Sequence, residues 1–257
     1  MYERAADERG TGPLWHVEGA RTFFAGPLTY NAGHQHGAPV FLAGLYGPFR
    51  LRVGEGAWTV CRTAMIPAGV LHELDLGGDP LGVLYVEPDG AGADDLVPLL
   101  AGTRETSGAL VGTGGTVAPL RDLYENRDGV REAGAALTDL LGFSRARARR
   151  GLDGRVARAV ALLRARSEPT VSVTEIAHAV GLSPSRFQHL FTGEVGVPFR
   201  RYRAWLRMRR AIQEIVAGAS FTAASHEAGF ADQAHLAHDF RRTFGAPASR
   251  SLLNVRR

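Results

Sequence analysis

The chain has 257 residues, a hydrophobic content of 45% and a formal net charge of +4 at pH 7. This length allows two domains with a sizeable core. No stretch approaches the 18 apolar residues of a membrane-spanning helix, and the N-terminus lacks the apolar run of a secretory signal. The single cysteine, Cys61, excludes an intramolecular disulfide and a cysteine-rich metal site. We therefore expect a cytoplasmic protein without membrane contact.

The charge is unevenly distributed, and all of the basic residues are arginine. Residues 151–257 contain 16 arginines and 8 acidic residues, whereas residues 1–150 contain 14 arginines and 18 acidic residues. A basic C-terminal half predicts a module that binds a polyanion, joined to a different N-terminal unit. Solvated surface charge is the alternative explanation, so the asymmetry serves as supporting evidence only.

Residues from about Leu14 to Glu87 have the pattern of strands and turns. Short apolar runs such as Phe49–Val53, Ala57–Cys61 and Gly82–Val86 alternate with glycine and proline. The spacing of the turns is typical of an all-β barrel or sandwich. We assign residues 1–88 to this domain.

Histidines in this region have a recognisable spacing: His34 and His36 form a His-x-His pair, and Pro67, Gly69 and His72 form a Pro-x-Gly-x-x-His motif. With these motifs, residues Gly33–Leu76 resemble a cupin barrel. The resemblance implies a divalent metal site of three histidines, suited to zinc, iron or manganese.

The glutamate that cupins place shortly after the histidine pair is missing, because residues 38–41 are Ala, Pro, Val and Phe. Three functions therefore compete for the N-terminal domain. It senses a small-molecule effector or supports a dimer without metal, it is a metal sensor, or it is a cupin dioxygenase or isomerase. Without a ligand, the histidines would hydrogen-bond locally at a polar barrel mouth.

Between residues 89 and 150 the pattern becomes helical, and we assign this part to a helical connector and linker. Helices are predicted at Asp94–Leu100 and Val130–Leu141, with a flexible segment at Ser107–Val117 between them. Ser144–Gly154 has no apolar face and is predicted to be a linker. We expect the two helices to keep apolar faces that support a homodimer.

Residues 151–257 contain two helix-turn-helix patterns. In the first, VTEIAHAVG precedes SPSRFQHLF, with Ser183 as N-cap and Pro184 at the first helical position. In the second, Leu236, Phe240 and Phe244 share one helical face that begins after the N-cap candidate Asp232. Two such units in about 100 residues make coincidence a poor explanation.

A predicted helix of about 19 residues, Phe199–Ala217, joins the two units. At roughly 1.5 Å per residue it spans about 28 Å, close to one turn of B-DNA, about 34 Å. One chain could therefore place two helices in successive major grooves. The alternative is a helical bundle that binds protein, and the net positive charge favours DNA.

This part of the chain resembles the DNA-binding domain of AraC/XylS-type transcriptional regulators. The resemblance rests on Ala177, Gly181, Leu182–Pro184, Leu190–Phe191, Gly196–Val197, Tyr202, Leu206–Arg207, Arg210–Ala211, Gly229–Phe230, Asp232–Gln233, Phe240 and Phe244–Gly245. It implies that base edges or phosphates are contacted by Ser185, Arg186, Gln188, His189, Gln233, Ala234, His235, His238, Arg241 and Arg242. Of these, Arg241 and Arg242 lie where phosphate contacts are expected.

The second unit departs from the family pattern. Ala224 and Ser225 stand where isoleucine and alanine are usual, and Leu236 replaces a phenylalanine. Pro247 comes one position early, and Ser251–Leu252 replace the usual aromatic and arginine pair. We therefore expect the second unit to be less stable than the first, or less important for affinity.

These observations predict an α+β protein with a cupin-like β-barrel, a helical connector and a C-terminal double helix-turn-helix domain. Its predicted function is that of a sequence-specific DNA-binding transcriptional regulator, not an enzyme. The expected partners are double-stranded DNA, a small-molecule effector, a second copy of the chain and, as a candidate, RNA polymerase. No cofactor is required by this interpretation, and a divalent metal at His34, His36 and His72 is the alternative.

Overall fold

The computed structural model describes residues 12–88, 93–126, 129–145, 152–165 and 171–255. Eleven strands lie in these ranges, in two antiparallel sheets. They are β1 (Leu14–Glu18), β2 (Arg21–Pro27), β3 (Tyr30–His34), β4 (Val40–Gly44), β5 (Phe49–Val53), β6 (Thr59–Cys61), β7 (Thr63–Ile66), β8 (His72–Asp75), β9 (Pro80–Val86), β10 (Leu100–Thr106) and β11 (Ala109–Gly115). The order is β1-β2-β9-β4-β7-β11-β10 in one sheet and β3-β8-β5-β6 in the other.

The burial pattern of each strand follows from its place in these sheets, which we call the β-domain. In β5 the apolar Phe49, Leu51 and Val53 are buried, whereas Arg50 is exposed. All five residues of β4 are buried, because β4 lies inside the seven-stranded sheet with apolar clusters on both faces. Alternation of apolar and polar residues is thus found in β5, which has one exposed face, and a continuous apolar run is found in β4, which is covered on both faces.

Three helices cover the outer face of the seven-stranded sheet: α1 (Ala93–Leu96), α2 (Ala118–Glu125) and α3 (Gly129–Arg145). The helix predicted at Val130–Leu141 is therefore present within α3. The apolar faces that were expected to support a dimer are buried within the single chain, since Leu96 and Leu137 are 0% exposed. A homodimer remains a prediction.

Two predictions for the connector were wrong. The segment Ser107–Val117 is not flexible, because most of it is the second strand of the hairpin β10–β11, whose turn has positive φ at Ser107 and Gly108. Strand β11 pairs with β7 and so extends the large sheet. The helix predicted at Asp94–Leu100 is shorter, because Leu100 already begins β10. Most of the linker at Ser144–Gly154 lies outside the described residues.

The C-terminal region consists of helices and the turns between them in its described residues. It contains α4 (Gly154–Ala165), α5 (Val173–Ala179), α6 (Pro184–Val195), α7 (Phe199–Val216), α8 (Phe221–Glu227), α9 (Gln233–Phe244) and α10 (Ser249–Leu252). The side chains of Ser183 and Asp232 accept hydrogen bonds from Arg186 N and His235 N, which confirms both predicted N-caps. No described helix is long and apolar enough to cross a membrane.

A buried carboxylate joins the helical region to the β-domain. Glu87, just after β9, is 2% exposed. It accepts hydrogen bonds from Tyr202 Oη and Trp205 Nε1, and its Oε1 lies 3.7 Å from Arg209 Nε. All three partners are on α7. Arg209 also donates to Thr22 Oγ1 and to the Gly19 and Arg21 carbonyls of the β1–β2 hairpin.

The end of α9 is held by the β-domain in a second place. Asn31 of β3 donates to the carbonyl oxygen of Phe244 at 2.8 Å, and Ala32 N donates to that of Gly245 at 2.9 Å. Gly245 has a φ of +70° and ends α9, and a Cβ there would come within 2.2 Å of the Ala32 carbonyl oxygen. This close approach therefore requires glycine. One apolar cluster runs from the space between the sheets into the helical region.

The Glu87 contacts predict a large effect of removing its charge. Glu87→Gln keeps the shape of the side chain but leaves the buried guanidinium of Arg209 without its carboxylate. We expect the free energy of unfolding to fall by about 3 kcal/mol, measured by urea denaturation with tryptophan fluorescence. Glu55→Gln, at an exposed position, is the matched control. Equal stability of the two variants would contradict this role of Glu87.

Candidate DNA interface and histidine cavity

The first helix-turn-helix unit presents its candidate reading residues to solvent. On α6, Phe187 and Phe191 are 0% exposed and pack against each other and against Phe199. The opposite face carries four exposed side chains, those of Ser185, Arg186, Gln188 and His189. The sequence therefore folds α6 with an anchored aromatic face and an outward face of hydrogen-bonding groups, as an interface to base edges needs.

The second unit has the same division of faces. Leu236, Phe240 and Phe244 of α9 are buried. The candidate contact residues Gln233, Ala234, His238, Arg241 and Arg242 are among the exposed residues of this helix. The two arginines lie in the last turn, where they also interact favourably with the negative end of the helix dipole.

His235 differs from the other candidate residues because its side chain contacts its own helix and the turn before that helix. Its Nδ1 lies 3.3 Å from Ala231 N and accepts that hydrogen bond, which leaves Nε2–H directed towards Asp239, 3.6 Å away. Its ring packs edge-on against Phe230 at 5.2 Å between centroids. To contact a base, His235 would have to give up these contacts, whereas His238 would not.

The three histidines predicted as metal ligands do lie together in the β-domain. His34 is at the end of β3, His72 begins β8, and His36 follows β3. Their ligand nitrogens are all within 4.8 Å of one another, and none of the three side chains is more than 3% exposed. Two nitrogens on one tetrahedral zinc lie about 3.4 Å apart, so binding would need a modest contraction.

The hydrogen bonds of these histidines assign their tautomers. His34 Nδ1 and His72 Nδ1 lie 2.8 and 2.9 Å from the carbonyl oxygens of Ala32 and Val70. A carbonyl oxygen only accepts, so each Nδ1 carries the proton and each Nε2 keeps a lone pair. His72 Nε2 and His36 Nδ1 are buried without a hydrogen-bond partner. Such unpaired nitrogens fit metal ligation.

Burial also keeps the three rings neutral. Desolvation lowers the pKa of His34 and His36 well below the usual value, with a further decrease from the neighbouring histidines, and lowers the pKa of His72 to about 4. The neutral imidazole is the form that binds a metal ion. The described carboxylates do not join the cluster, so the structure supplies three nitrogens and no glutamate ligand.

A narrow cavity beside the histidines lies between the β-domain and the helical region. Its walls are mostly apolar side chains of the β-domain, and Phe240, Phe244 and Ala246 close it from the helical side. About 30 Å³ is open to the centre of a water-sized sphere, enough for about two waters. Asn31 Oδ1, also at this wall, is buried without a partner. A larger ligand would need a wall of the cavity to move, and the end of α9 forms one of these walls.

A family model described as a helix-turn-helix domain matches residues 176–252. Residues 176–252 are an AraC-type helix-turn-helix domain. Both units found above, from α5 to α10, fall within or at the edge of the match. A comparison with curated proteins gives no match.

The fold of the chain as a whole is similar to that of ToxT from Vibrio cholerae. The apo K231A variant aligns with a TM-score of 0.61 and 11% identity over 92% of this chain and 98% of that one. Wild-type ToxT with bound unsaturated fatty acid aligns with a TM-score of 0.60, 11% identity and coverage of 92% and 96%. ToxT bound to (E)-4-(8-methylnaphthalen-1-yl)but-3-enoic acid aligns with a TM-score of 0.59 and 12% identity, over 91% of this chain and 98% of that one.

Sequence reasoning missed the residues that attach the AraC-type domain to the β-domain. Arg209 gave a usable signal, because it falls on the apolar face of α7 between Trp205 and Ile212, where a charge requires a buried partner. Glu87 gave a second signal, as an acidic residue directly after a buried strand. Nothing local in the sequence showed that Asn31 would contact the end of α9.

Proposed function

We propose that this protein is a sequence-specific DNA-binding transcriptional regulator whose β-domain responds to a bound ligand. The observation that carries the proposal is the pair of helix-turn-helix units that anchor one face in the core and expose hydrogen-bonding and basic side chains on the other. Helices of this kind fit the major groove of B-DNA. The net charge of +8 on residues 151–257 supports binding to the phosphate backbone.

We assign recognition of base edges and binding of phosphates to different residues of this interface. Gln188 and His189 project from the middle of α6, opposite its buried aromatic face, and are assigned to base edges. Arg241 and Arg242 at the end of α9 are assigned to phosphates. A ligand of the β-domain would alter the position of α9, and through it the occupancy of a promoter.

The test begins by selecting the preferred duplex from a random pool with the full-length protein. Gln188→Ala and His189→Ala should each weaken binding to that duplex by about 1–3 kcal/mol and relax base preference at one position. Arg242→Ala should weaken all duplexes alike and reduce the salt slope by about one unit. Fluorescence anisotropy over a series of salt concentrations measures both effects.

Gln213→Ala, at an exposed position of α7 outside both reading faces, is the control and should bind like the unmodified protein. Failure of the selection to enrich any sequence would contradict the proposed function. Equal losses on selected and random DNA for Gln188→Ala and His189→Ala would contradict their assignment as base readers.

The effector of the β-domain is proposed on the basis of its cavity. The apolar walls and the closure by Phe244 favour a ligand with a substantial apolar part. ToxT, which has a similar fold, has been solved with an unsaturated fatty acid. Arg250 at the cavity wall could pair with an acidic group of such a ligand.

Metal sensing is the second candidate, because His36 and His72 each have a buried nitrogen without a hydrogen-bond partner and lie in one cluster with His34. A zinc ion there would be held by three nitrogens and would keep an open position, and its charge would have no carboxylate beside it. The ring of Phe244 lies 5.8 Å from that of His36. A shift of His36 on metal binding would therefore alter its contact with Phe244 at the end of α9.

This second candidate predicts about one divalent metal ion per chain in protein purified without an affinity tag, measured by inductively coupled plasma mass spectrometry. His36→Gln should abolish the metal content because it removes one of three ligands. His226→Gln, which changes an exposed histidine of α8, should retain it. Metal content below a tenth of an ion per chain after incubation with zinc would rule this function out.

A further inference from the structure

A second, wider cleft lies between the β-domain and the DNA-binding helices. The segment from Gly33 to Gly37 and Leu71 form one wall, and the first turns of α7 and the last turns of α9 form the other. About 480 Å³ is open to the centre of a water-sized sphere, which is in the size range of small-molecule sites. The walls meet where Gly37 touches Trp205, since a Cβ on Gly37 would come within 2.4 Å of Trp205 Cβ.

The cleft carries an excess of positive charge. Arg200 and Arg201 of α7 and Arg242 of α9 line it, and none of them forms an ion pair with a residue in the described part of the chain. The one carboxylate in the lining, Asp239, already lies 3.6 Å from Arg207 Nη2 and 3.6 Å from His235 Nε2. Arg207, which is not in the lining, therefore compensates part of its charge.

Several guanidinium groups in the lining of one cleft favour ligands with anionic oxygens. Arginine donates planar pairs of hydrogen bonds to carboxylates and phosphates, and low-dielectric walls strengthen the attraction. Gln35 and Thr243 add polar groups to the same lining, whereas apolar residues are in the minority. The cleft therefore differs from the apolar cavity beside the histidines and does not suit an alkyl chain.

The geometry points to an anion site in this cleft: a small, hydrophilic organic anion with carboxylate or phosphate groups binds between Arg200, Arg201 and Arg242. It bridges α7 and α9 beside the rim of the β-domain. Because Arg242 is also assigned to DNA phosphate, the bound anion competes with DNA for that side chain. This last consequence rests on the proposed DNA-binding function, whereas binding of the anion does not.

Isothermal titration calorimetry of the full-length protein with citrate and with inorganic phosphate tests the site. At least one of the two should bind with a stoichiometry of one per chain. Arg201→Ala should weaken that binding about tenfold, because it removes a charge-assisted hydrogen bond. Arg104→Ala is the matched control, since Arg104 is exposed on β10, outside the cleft, and should bind as the unmodified protein does.

A parallel titration with a random-sequence duplex separates a free anion from the DNA backbone as the occupant. Saturable citrate or phosphate binding that is lost in Arg201→Ala supports the site even if the protein binds no DNA, in which case only the proposed function fails. Absence of saturable binding, or equal weakening by Arg104→Ala, overturns the site. Loss of duplex binding in Arg201→Ala without any citrate or phosphate binding would assign the cleft to DNA and also overturns it.

Discussion

The buried carboxylate of Glu87 is the contact on which the arrangement of the two regions depends. A carboxylate at 2% exposure is tolerated only when donors surround it. Here those donors are the hydroxyl of Tyr202, the indole of Trp205 and the guanidinium of Arg209. All of them come from the helix that joins the two helix-turn-helix units, so burying Glu87 fixes that helix against the β-domain.

The two helix-turn-helix units contact the β-domain in different ways. Helix α9 ends on β3, with the carbonyl oxygens of Phe244 and Gly245 held by Asn31 and Ala32. Helix α6 packs on α5, α4 and α7, and Gly69 of the β-domain meets Val197 in the turn that follows it. A ligand that binds more tightly when Phe244 is displaced would favour the displaced position of α9. The size of this shift is set by the difference between the ligand's affinities for the two positions. The second unit, whose sequence departs most from the family pattern, is therefore the one placed to respond.

Local sequence signals predicted the local structure well. The apolar spacing and the N-caps Ser183 and Asp232 depend on residues within one or two helical turns, and both predicted caps are present. The histidine pair and the Pro-x-Gly-x-x-His motif predicted the cluster because both motifs lie at the ends of paired strands, where His34 opposes His72. The hairpin at residues 100–115 was missed because its glycines and threonines resemble a flexible segment, and only pairing with β7 makes it a strand. Glu87 and Arg209 are in contact but lie more than a hundred residues apart in the sequence, so no local pattern predicts their contact.

We infer that the β-domain and the helix-turn-helix region fold as one unit, joined by a shared apolar core and by the contacts of Glu87. Differential scanning calorimetry of the full-length protein tests this most directly. The shared apolar cluster and the Glu87 contacts predict one cooperative transition, with equal calorimetric and van't Hoff enthalpies. Two resolved transitions, one for the β-domain and one for the helical region, would contradict the claim.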